Sequence, residues 1–261
     1  MSNGMKCRQC GMTLIPLTTA ESDIVLLKCE SCGLIRLRDF LHKHHLRTSW
    51  DHGGIYNESY VEGENWRRTV AITLLNWLQS HVKPPGSILD VGCAAGFFLD
   101  EALSHGWECW GIDLSEVFIQ YIGSRFSGIK AYQGDIRDQR LPEGFFNVIT
   151  CFDTLGYTTD PLGVLKRAYA LLSDGGYLFM SNLYANRLIR LRKELLTFNY
   201  YFDKYCLQQL LLRAGFLEVE SRITAKNLNT SKKYSWPWWR MSLPIMNMWD
   251  TKMLFSVAQK S

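Results

Sequence analysis

Apolar positions along the chain change their period several times, and the changes mark out its elements. Over residues 66–81, Val70, Leu74, Leu75 and Leu78 recur at the three-and-four spacing of one helix face, and Pro84-Pro85-Gly86 stops that pattern. Short apolar runs and helix-forming stretches then alternate. Residues 88–91 read as a buried strand, 97–105 as a helix, 108–113 as a strand, 117–122 as a helix and 130–136 as a strand. A fourth strand is expected over 145–152, its helix over 161–172, and a fifth strand over 177–181, with Gly175-Gly176 as the tight turn between them. A late helix over 207–214 precedes two runs, 217–223 and 253–258, that read as a closing antiparallel pair. This alternation predicts a doubly wound α/β sheet. Ahead of it, residues 24–28 and 34–37 read as two strands of a small separate unit.

The chemistry falls where the strands end. Residues 88–99, Ile-Leu-Asp-Val-Gly-Cys-Ala-Ala-Gly-Phe-Phe-Leu, lead from a strand through a glycine turn into a helix. There Gly92 and Gly96 allow positive φ and close approach of backbone to a ligand, although such a turn is a weak signal by itself. The next strand ends in Asp113, 23 positions after Asp90, where a carboxylate can accept both hydroxyl hydrogens of a ribose. The competing role for Asp113 is a helix N-cap, since Asp113-Leu-Ser-Glu116 also precedes an apolar helix. The third strand ends in Gly134-Asp135, an acid that can accept from the exocyclic amine of an adenine while Ile136 packs on the ring.

Taken in order, Leu89-Asp-Val-Gly-Cys-Ala-Ala-Gly96, Gly111-Ile-Asp-Leu-Ser115, Gln133-Gly-Asp135, the run 146–155, Asp160-Pro161, the run 171–178 and Ala214-Gly-Phe216 resemble the class I S-adenosylmethionine-dependent methyltransferases. The resemblance covers about residues 65–261. It implies a Rossmann-like, seven-stranded, mostly parallel sheet with the last strand antiparallel, and methyl transfer from a sulfonium cofactor. It also implies cofactor contacts from Asp90, Cys93 through its backbone, Ala94, Phe97, Leu114 and Phe152, beside Gly92, Gly96, Asp113, Asp135 and Ile136. Two departures stand out. Ala94 replaces the usual middle glycine, a change that a dinucleotide site would resist more than a site without a pyrophosphate. At Leu155-Gly-Tyr157, close relatives often carry Glu-His after the leucine, and no role of that pair carries over.

The chain of 261 residues is 47% hydrophobic and 21% charged, enough for one full α/β core with roughly 60 residues to spare. The spare residues lie at the front and contain four of the eight cysteines. Cys7-x2-Cys10 and Cys29-x2-Cys32 have the spacing of a four-thiolate zinc site, each pair followed by a glycine, Gly11 and Gly33. Disulfides or a redox pair are the alternatives; a cytoplasmic chain argues against the first and the duplication against the second. A metal with four protein ligands is structural rather than a Lewis acid. Cys93, Cys109, Cys151 and Cys206 sit inside apolar runs and read as small buried hydrophobes. The expected organisation is a zinc ribbon at 1–40, a connector at 41–64 and a methyltransferase domain at 65–261 with insertions at about 185–202 and 226–251.

Within the connector, His42, His44, His45 and His52 have no paired metal spacing and read as solvated, whereas relatives with such a ribbon often close an aromatic segment over the cofactor. That gives Tyr60 a cofactor or acceptor role, with Tyr56 beside it. Asp153 and Tyr157, just past the fourth strand, are the candidates for catalysis, against a plain turn cap for Asp153. The fourth strand lacks the Asn-Pro-Pro-Tyr type tetrapeptide common in methyltransferases acting on base or glutamine amines.

Acceptor recognition is expected from the insertions. The first joins Arg187, Arg190, Arg192 and Lys193 to Phe198, Tyr200, Tyr201 and Phe202 as a lid, with a solvated helix face as the alternative. The second carries Trp236-Pro-Trp-Trp239 and a Met-rich stretch, a candidate pocket cap or homodimer contact. The expected acceptor is a small molecule, a sugar or related metabolite, because ribbon-bearing relatives look like sugar methyltransferases. The alternatives are ribosomal-type RNA, for which a net charge of +4 without a long basic run gives a weak footprint, and a cofactor-binding module without catalysis. No apolar stretch reaches the ~18 residues of a membrane span and the N-terminus has no signal-peptide pattern, so a cytoplasmic location is expected.

Overall fold

The computed structural model describes residues 5–17, 25–38, 60–185, 198–225 and 252–260. In chain order these form β1 (Leu14–Pro16), β2 (Leu26–Cys29), β3 (Ile35–Leu37), α1 (Glu64–Gln79), β4 (Gly86–Val91), α2 (Phe97–Ser104), β5 (Trp107–Asp113), α3 (Glu116–Arg125), β6 (Ile129–Gln133), β7 (Phe146–Phe152), α4 (Pro161–Leu171), β8 (Leu172–Leu183), β9 (Tyr200–Tyr201), α5 (Lys204–Ala214), β10 (Leu217–Ala225) and β11 (Lys252–Gln259).

Seven strands make one sheet in the order β10-β11-β8-β7-β4-β5-β6. The pairs β4·β5, β4·β7, β5·β6 and β7·β8 are parallel, while β11 runs antiparallel to both β8 and β10. This is the expected sheet with its last strand reversed. Its central strands are covered on both faces, which is why Ile88, Leu89, Val148 and Ile149 are fully buried and the sequence runs apolar there instead of alternating. On one face α1 and α2 pack through Leu75, Leu78, Leu99 and Ala102 onto Trp107, Phe179 and Val257. On the other face, α4 and α5 contribute Leu165, Ala168, Leu207 and Leu210 to a second core.

One turn is placed differently from expectation. Gly175-Gly176 does not separate α4 from its strand, because β8 already begins at Leu172. The register jumps from Phe146↔Leu172 to Val148↔Tyr177, so the extra residues bulge out of the β7 ladder. The bulge is closed from outside the sheet's parallel half: Gly175 N donates to Lys260 O, and Lys260 N donates to Gly176 O. The chain after β11 thus supplies partners that a local reading could not foresee.

A four-stranded sheet, β1-β2-β3-β9, forms the N-terminal unit. Its fourth strand comes from about 160 residues further along the chain, pairing Ile35 with Tyr201 and Arg36 with Tyr200. This corrects the expected lid: Tyr200, Tyr201 and Phe202 are buried at 5%, 1% and 1% exposure, and they are core rather than cover. Tyr200 and Phe202 join Leu27 and Leu34 in the core shared with α5, while Tyr201 packs with Leu26, Leu37, Leu183 and Met253 on the opposite side. The N-terminal unit is therefore fused to the larger sheet's flank, and Arg213 of α5 donates to Gln9 O at 2.6 Å. His42, His44, His45, His52, Tyr56, the basic half of the first insertion and the whole Trp- and Met-rich second insertion, with its homodimer role, lie outside the described residues. Among the described residues no helix is long and apolar enough to cross a membrane.

Candidate functional site

Strands β7, β4, β5 and β6 lie side by side and parallel, so their carboxyl ends bring Asp153, Gly92, Asp113 and Asp135 to one edge. The turn after β4 is tied to the neighbouring strand: the Gly92 and Cys93 amides both donate to Ile112 O, at 2.8 and 3.1 Å. Gly92 takes φ +79°, and a Cβ there would sit 2.9 Å from the Thr154 Cβ, so only glycine fits between this backbone and the loop after β7. Ala94 is also left-handed, at φ +46°. Gly96 is the N-cap residue of α2, and Phe97 behind it is buried.

Asp113 closes the turn. Its Oδ2 accepts from Ala94 N at 2.9 Å and its Oδ1 from Ser115 N at 2.9 Å, so the carboxylate bridges the glycine turn and the start of α3. The cap of α3 belongs to Ser115, whose side chain accepts from Phe118 N. Leu114 beside it is exposed. Beneath the turn, Asp90 is buried and its Oδ1 accepts from the Thr150 hydroxyl at 2.6 Å. Burial pushes its pKa up to about 7, helped by the nearby Asp113 charge and opposed by the Thr150 hydrogen bond. The Cys93 thiol is held well above its ordinary range by burial and by the Asp113 and Asp90 charges, and its sulfur fills the space a Cβ of Gly111 would need.

Asp135 is differently engaged. Arg137 donates to both carboxylate oxygens, Nε to Oδ1 at 2.9 Å and Nη2 to Oδ2 at 2.6 Å, and holds the acid below the usual carboxylate range. Arg137 Nη2 also reaches the Thr159 hydroxyl at 3.0 Å, tying the loop after β6 to the loop after β7. Ile136 is buried at 2% exposure. Tyr60 is brought to the glycine turn: its ring stacks on Phe97, tilts against Phe118 at 5.2 Å and lies 3.3 Å beneath the Arg67 guanidinium carbon.

On the β7 side, Phe152 packs edge-on against Phe98 at 5.2 Å. Asp153 follows in a left-handed conformation, φ +54°, which aspartate tolerates better than most residues. It is fixed by β8: Asp153 N donates to Ser181 O at 2.9 Å, and the Ser181 hydroxyl donates to Asp153 Oδ1 at 3.2 Å. Tyr157 is partly exposed and its ring lies 4.4 Å from that of Phe198.

At the far end of the ribbon, all four predicted thiols converge within 4.8 Å of one another. Cys7 and Cys32 sulfurs are 3.7 Å apart, and Cys10 and Cys29 sulfurs 3.3 Å apart. A tetrahedral Zn²⁺ with ~2.3 Å bonds to sulfur requires edges of about 3.8 Å, so the donor set fits that ion in number, element and spacing. The two knuckles repeat one conformation: Gly11 and Gly33 both have φ +74°, donating to Cys7 O and Cys29 O. The other four cysteines are buried, as expected, with burial pushing Cys109 and Cys151 up to about 12.

Sequence reasoning missed Arg137, Thr150, Thr154, Ser181 and Asn199. Arg137 follows Asp135 by two residues, a spacing that signals a local pair; the others act across strands and left no trace in the linear pattern.

A family model described as a methyltransferase domain matches residues 64–252. The chain is 30% identical over 129 residues, 48% of this chain and 54% of the relative, to the dTDP-3-amino-3,4,6-trideoxy-alpha-D-glucopyranose N,N-dimethyltransferase of Streptomyces venezuelae. It is 30% identical over 118 residues, 43% of this chain and 51% of the relative, to the ubiquinone biosynthesis O-methyltransferase of Pseudomonas putida. The match spans about half the length of these curated relatives. Among solved structures, geranyl diphosphate C-methyltransferase from Streptomyces coelicolor A3(2), crystallised with Mg²⁺, geranyl diphosphate and S-adenosyl-L-homocysteine, shares the fold with a TM-score of 0.57 at 13% identity. That overlap covers 72% of this chain and 80% of the other.

The fit at Gly92 predicts that Gly92→Ala destabilises the chain by about 2 kcal/mol or more, and that adding Thr154→Ala restores part of the loss by removing the clash while leaving the φ strain. Urea denaturation of the two variants checks both directions. A second expectation concerns pH. The folded protein binds the Asp90 proton more tightly than the unfolded chain, whose aspartate has the ordinary value of 3.8. Between about pH 4 and 7 the native state therefore holds the extra proton and loses stability as pH rises, by up to roughly 4 kcal/mol. Asp90→Asn removes this dependence, so its stability relative to wild type should climb from pH 4 to pH 8; a pH-independent difference contradicts the assignment.

Proposed function

The chain belongs to the class I S-adenosylmethionine-dependent methyltransferases through its methyltransferase domain, and we propose that it methylates a small-molecule acceptor, a sugar or related metabolite. The observation that carries the cofactor half of this reading is the Asp113 bridge. A carboxylate fixed by two backbone amides stands at the strand edge, where it can accept from paired hydroxyls. Gly92, Cys93 and Ala94 offer backbone for close approach, with Gly96 and Phe97 shaping the helix start behind them. Tyr60, stacked on Phe97, covers the turn from the N-terminal side. Asp90 lies beneath the turn as a buried support and keeps its back wall in place through Thr150.

Ile136 and Leu114 provide apolar surface for a base. Asp135, its carboxylate shared with Arg137, contributes through that ion pair more than as a lone acceptor. When bound, S-adenosylmethionine supplies a methyl group on positively charged sulfur. Displacement at that carbon needs alignment and exclusion of water above all, and Phe152 with Phe98 gives the apolar floor for it. Asp153, immobilised by Ser181, stands at the acceptor side as the candidate for holding or taking an acceptor proton, with Tyr157 next to it. The similar proteins are named for methyl transfer to nitrogen, oxygen and carbon. The small-molecule reading rests on the amino-sugar nucleotide and the ubiquinone biosynthesis named for those relatives and on the weak electrostatic footprint for RNA. The four converging cysteines would hold a structural zinc.

Calorimetry with S-adenosylhomocysteine should show Asp113→Ala weakening binding at least tenfold, and unchanged affinity would remove the cofactor reading. A labelled-methyl assay should place radioactivity in a metabolite extract enriched for nucleotide sugars and phenols and not in RNA; label in RNA alone reverses the acceptor reading, and no label anywhere leaves a binding module. For the metal, the purified chain should carry one zinc, and Cys29→Ser should lose it. Full zinc content in that variant refutes the four-thiolate centre.

A further inference from the structure

A single short segment ties the N-terminal ribbon to the acceptor side of the site. We propose that Asn199 is a positioning residue through which the four-cysteine ribbon holds residues 155–159, so that the metal centre sets the acceptor wall while β5 holds the cofactor turn. The inference rests on the readings of a cysteine-bound zinc and of an acceptor site beside Asp153 and Tyr157.

The contacts run in sequence from the ribbon to the loop. Cys29 ends β2, β2 pairs with β3 through Lys28↔Ile35, and β3 pairs with β9 through Arg36↔Tyr200. Leu37 N donates to Asn199 O at 3.1 Å, which extends the pairing to the residue before β9. Asn199 is buried at 5% exposure, and its amide Nδ2 donates to Tyr157 O at 2.6 Å and Thr158 O at 3.1 Å. Next to it, the Tyr200 hydroxyl donates to Thr159 O at 3.2 Å. Phe198 completes the clasp, its ring against Tyr157, and a Cβ at Gly156 would meet Phe198 Cδ1 at 2.8 Å. Three consecutive residues of the ribbon-bound segment therefore grip four consecutive residues of one loop.

The carbonyls of Tyr157, Thr158 and Thr159 lie at the end of and just past a single 3-10 turn, Leu155–Tyr157, and Asn199 and Tyr200 supply donors to them. Asn199 Oδ1 is buried with no hydrogen-bond partner, a cost accepted on one side of the amide to place both donors on the other. The turn after β4, in contrast, is fixed by Ile112 O and Asp113, which belong to β5. The two halves of the site thus have different anchors, and they meet where Thr154 packs on Gly92 and where Arg137 Nη2 reaches the Thr159 hydroxyl.

Hydrogen–deuterium exchange on the full chain, read by peptide and run beside zinc content and S-adenosylhomocysteine calorimetry, tests this. Zinc-loaded protein is compared with protein stripped by a thiol-competing chelator. Stripping should speed exchange over 153–160 and 198–202 by about tenfold, with 88–99 and 108–116 unchanged and nucleoside affinity within about threefold. Asn199→Asp, which turns a carboxylate toward two carbonyls, should keep its zinc and loosen 153–160 alone. Unaltered exchange over 153–160 in either sample, or a uniform rise across all peptides, overturns the proposal. Should Asn199→Asp fail to fold, Tyr200→Phe replaces it, with faster exchange confined to the Thr159 end expected and an unchanged rate refuting the clasp. A wild-type chain that binds no zinc overturns the four-cysteine reading and the metal's part here, while the Asn199 variant still decides whether the segment positions the loop.

Discussion

The Asp113 carboxylate is the constraint on which the rest of the site depends. It ends β5, yet it accepts from the amide of Ala94, 19 residues earlier in the chain and next door in the sheet. With Ile112 O taking the Gly92 and Cys93 amides, the turn after β4 is shaped by its neighbour strand as well as by its own bond from Gly96 N to Cys93 O at 3.0 Å. Such a turn exists only when β4 and β5 are parallel and in register at Val91↔Ile112. The glycine conformation, the buried Asp90 and the aromatic packing of Tyr60 on Phe97 all follow from that placement. A rigid strand edge carries the recognition elements, which is the usual advantage of building a ligand site at the carboxyl ends of a parallel sheet.

Electrostatics at this edge is graded from strand to strand. Asp90 is desolvated and pushed toward neutrality, Asp113 bridges amides, and Asp135 is neutralised by Arg137. Three carboxylates within one turn of sheet would repel one another if all were charged and unpaired. The structure resolves this with one protonation shift, one pair of backbone donors and one guanidinium. Asp153, just past the neighbouring strand β7, keeps its own support in Ser181.

What the sequence made legible was whatever has a local period or a fixed spacing. The strand-turn-helix after β4, the acids at three strand tips, the helix faces and the paired Cys-x2-Cys knuckles all stand where they were expected. The residues that were not legible act between distant segments. Tyr200 and Tyr201 looked like part of a basic aromatic lid because their neighbours in sequence are arginines, but their strand partner is β3, over 160 residues earlier. Gly175-Gly176 looked like a simple turn because the Lys260 backbone that accommodates the bulge comes at the end of the chain. Long-range pairing, which no periodicity encodes, accounts for both differences. The Asp135–Arg137 pair is of another kind, a local contact two residues apart whose spacing was open to reading from the sequence.

The central claim is that the edge formed by Gly92, Asp113 and Asp135 grips an S-adenosyl nucleoside. A crystal structure of the full chain with S-adenosylhomocysteine tests it most directly. The account predicts ribose hydroxyls on the Asp113 carboxylate, the amino-acid end over the turn from Gly92 to Ala94, and the base beside Ile136. Well-ordered ligand density elsewhere on the protein, with the Asp113 carboxylate untouched, would contradict it.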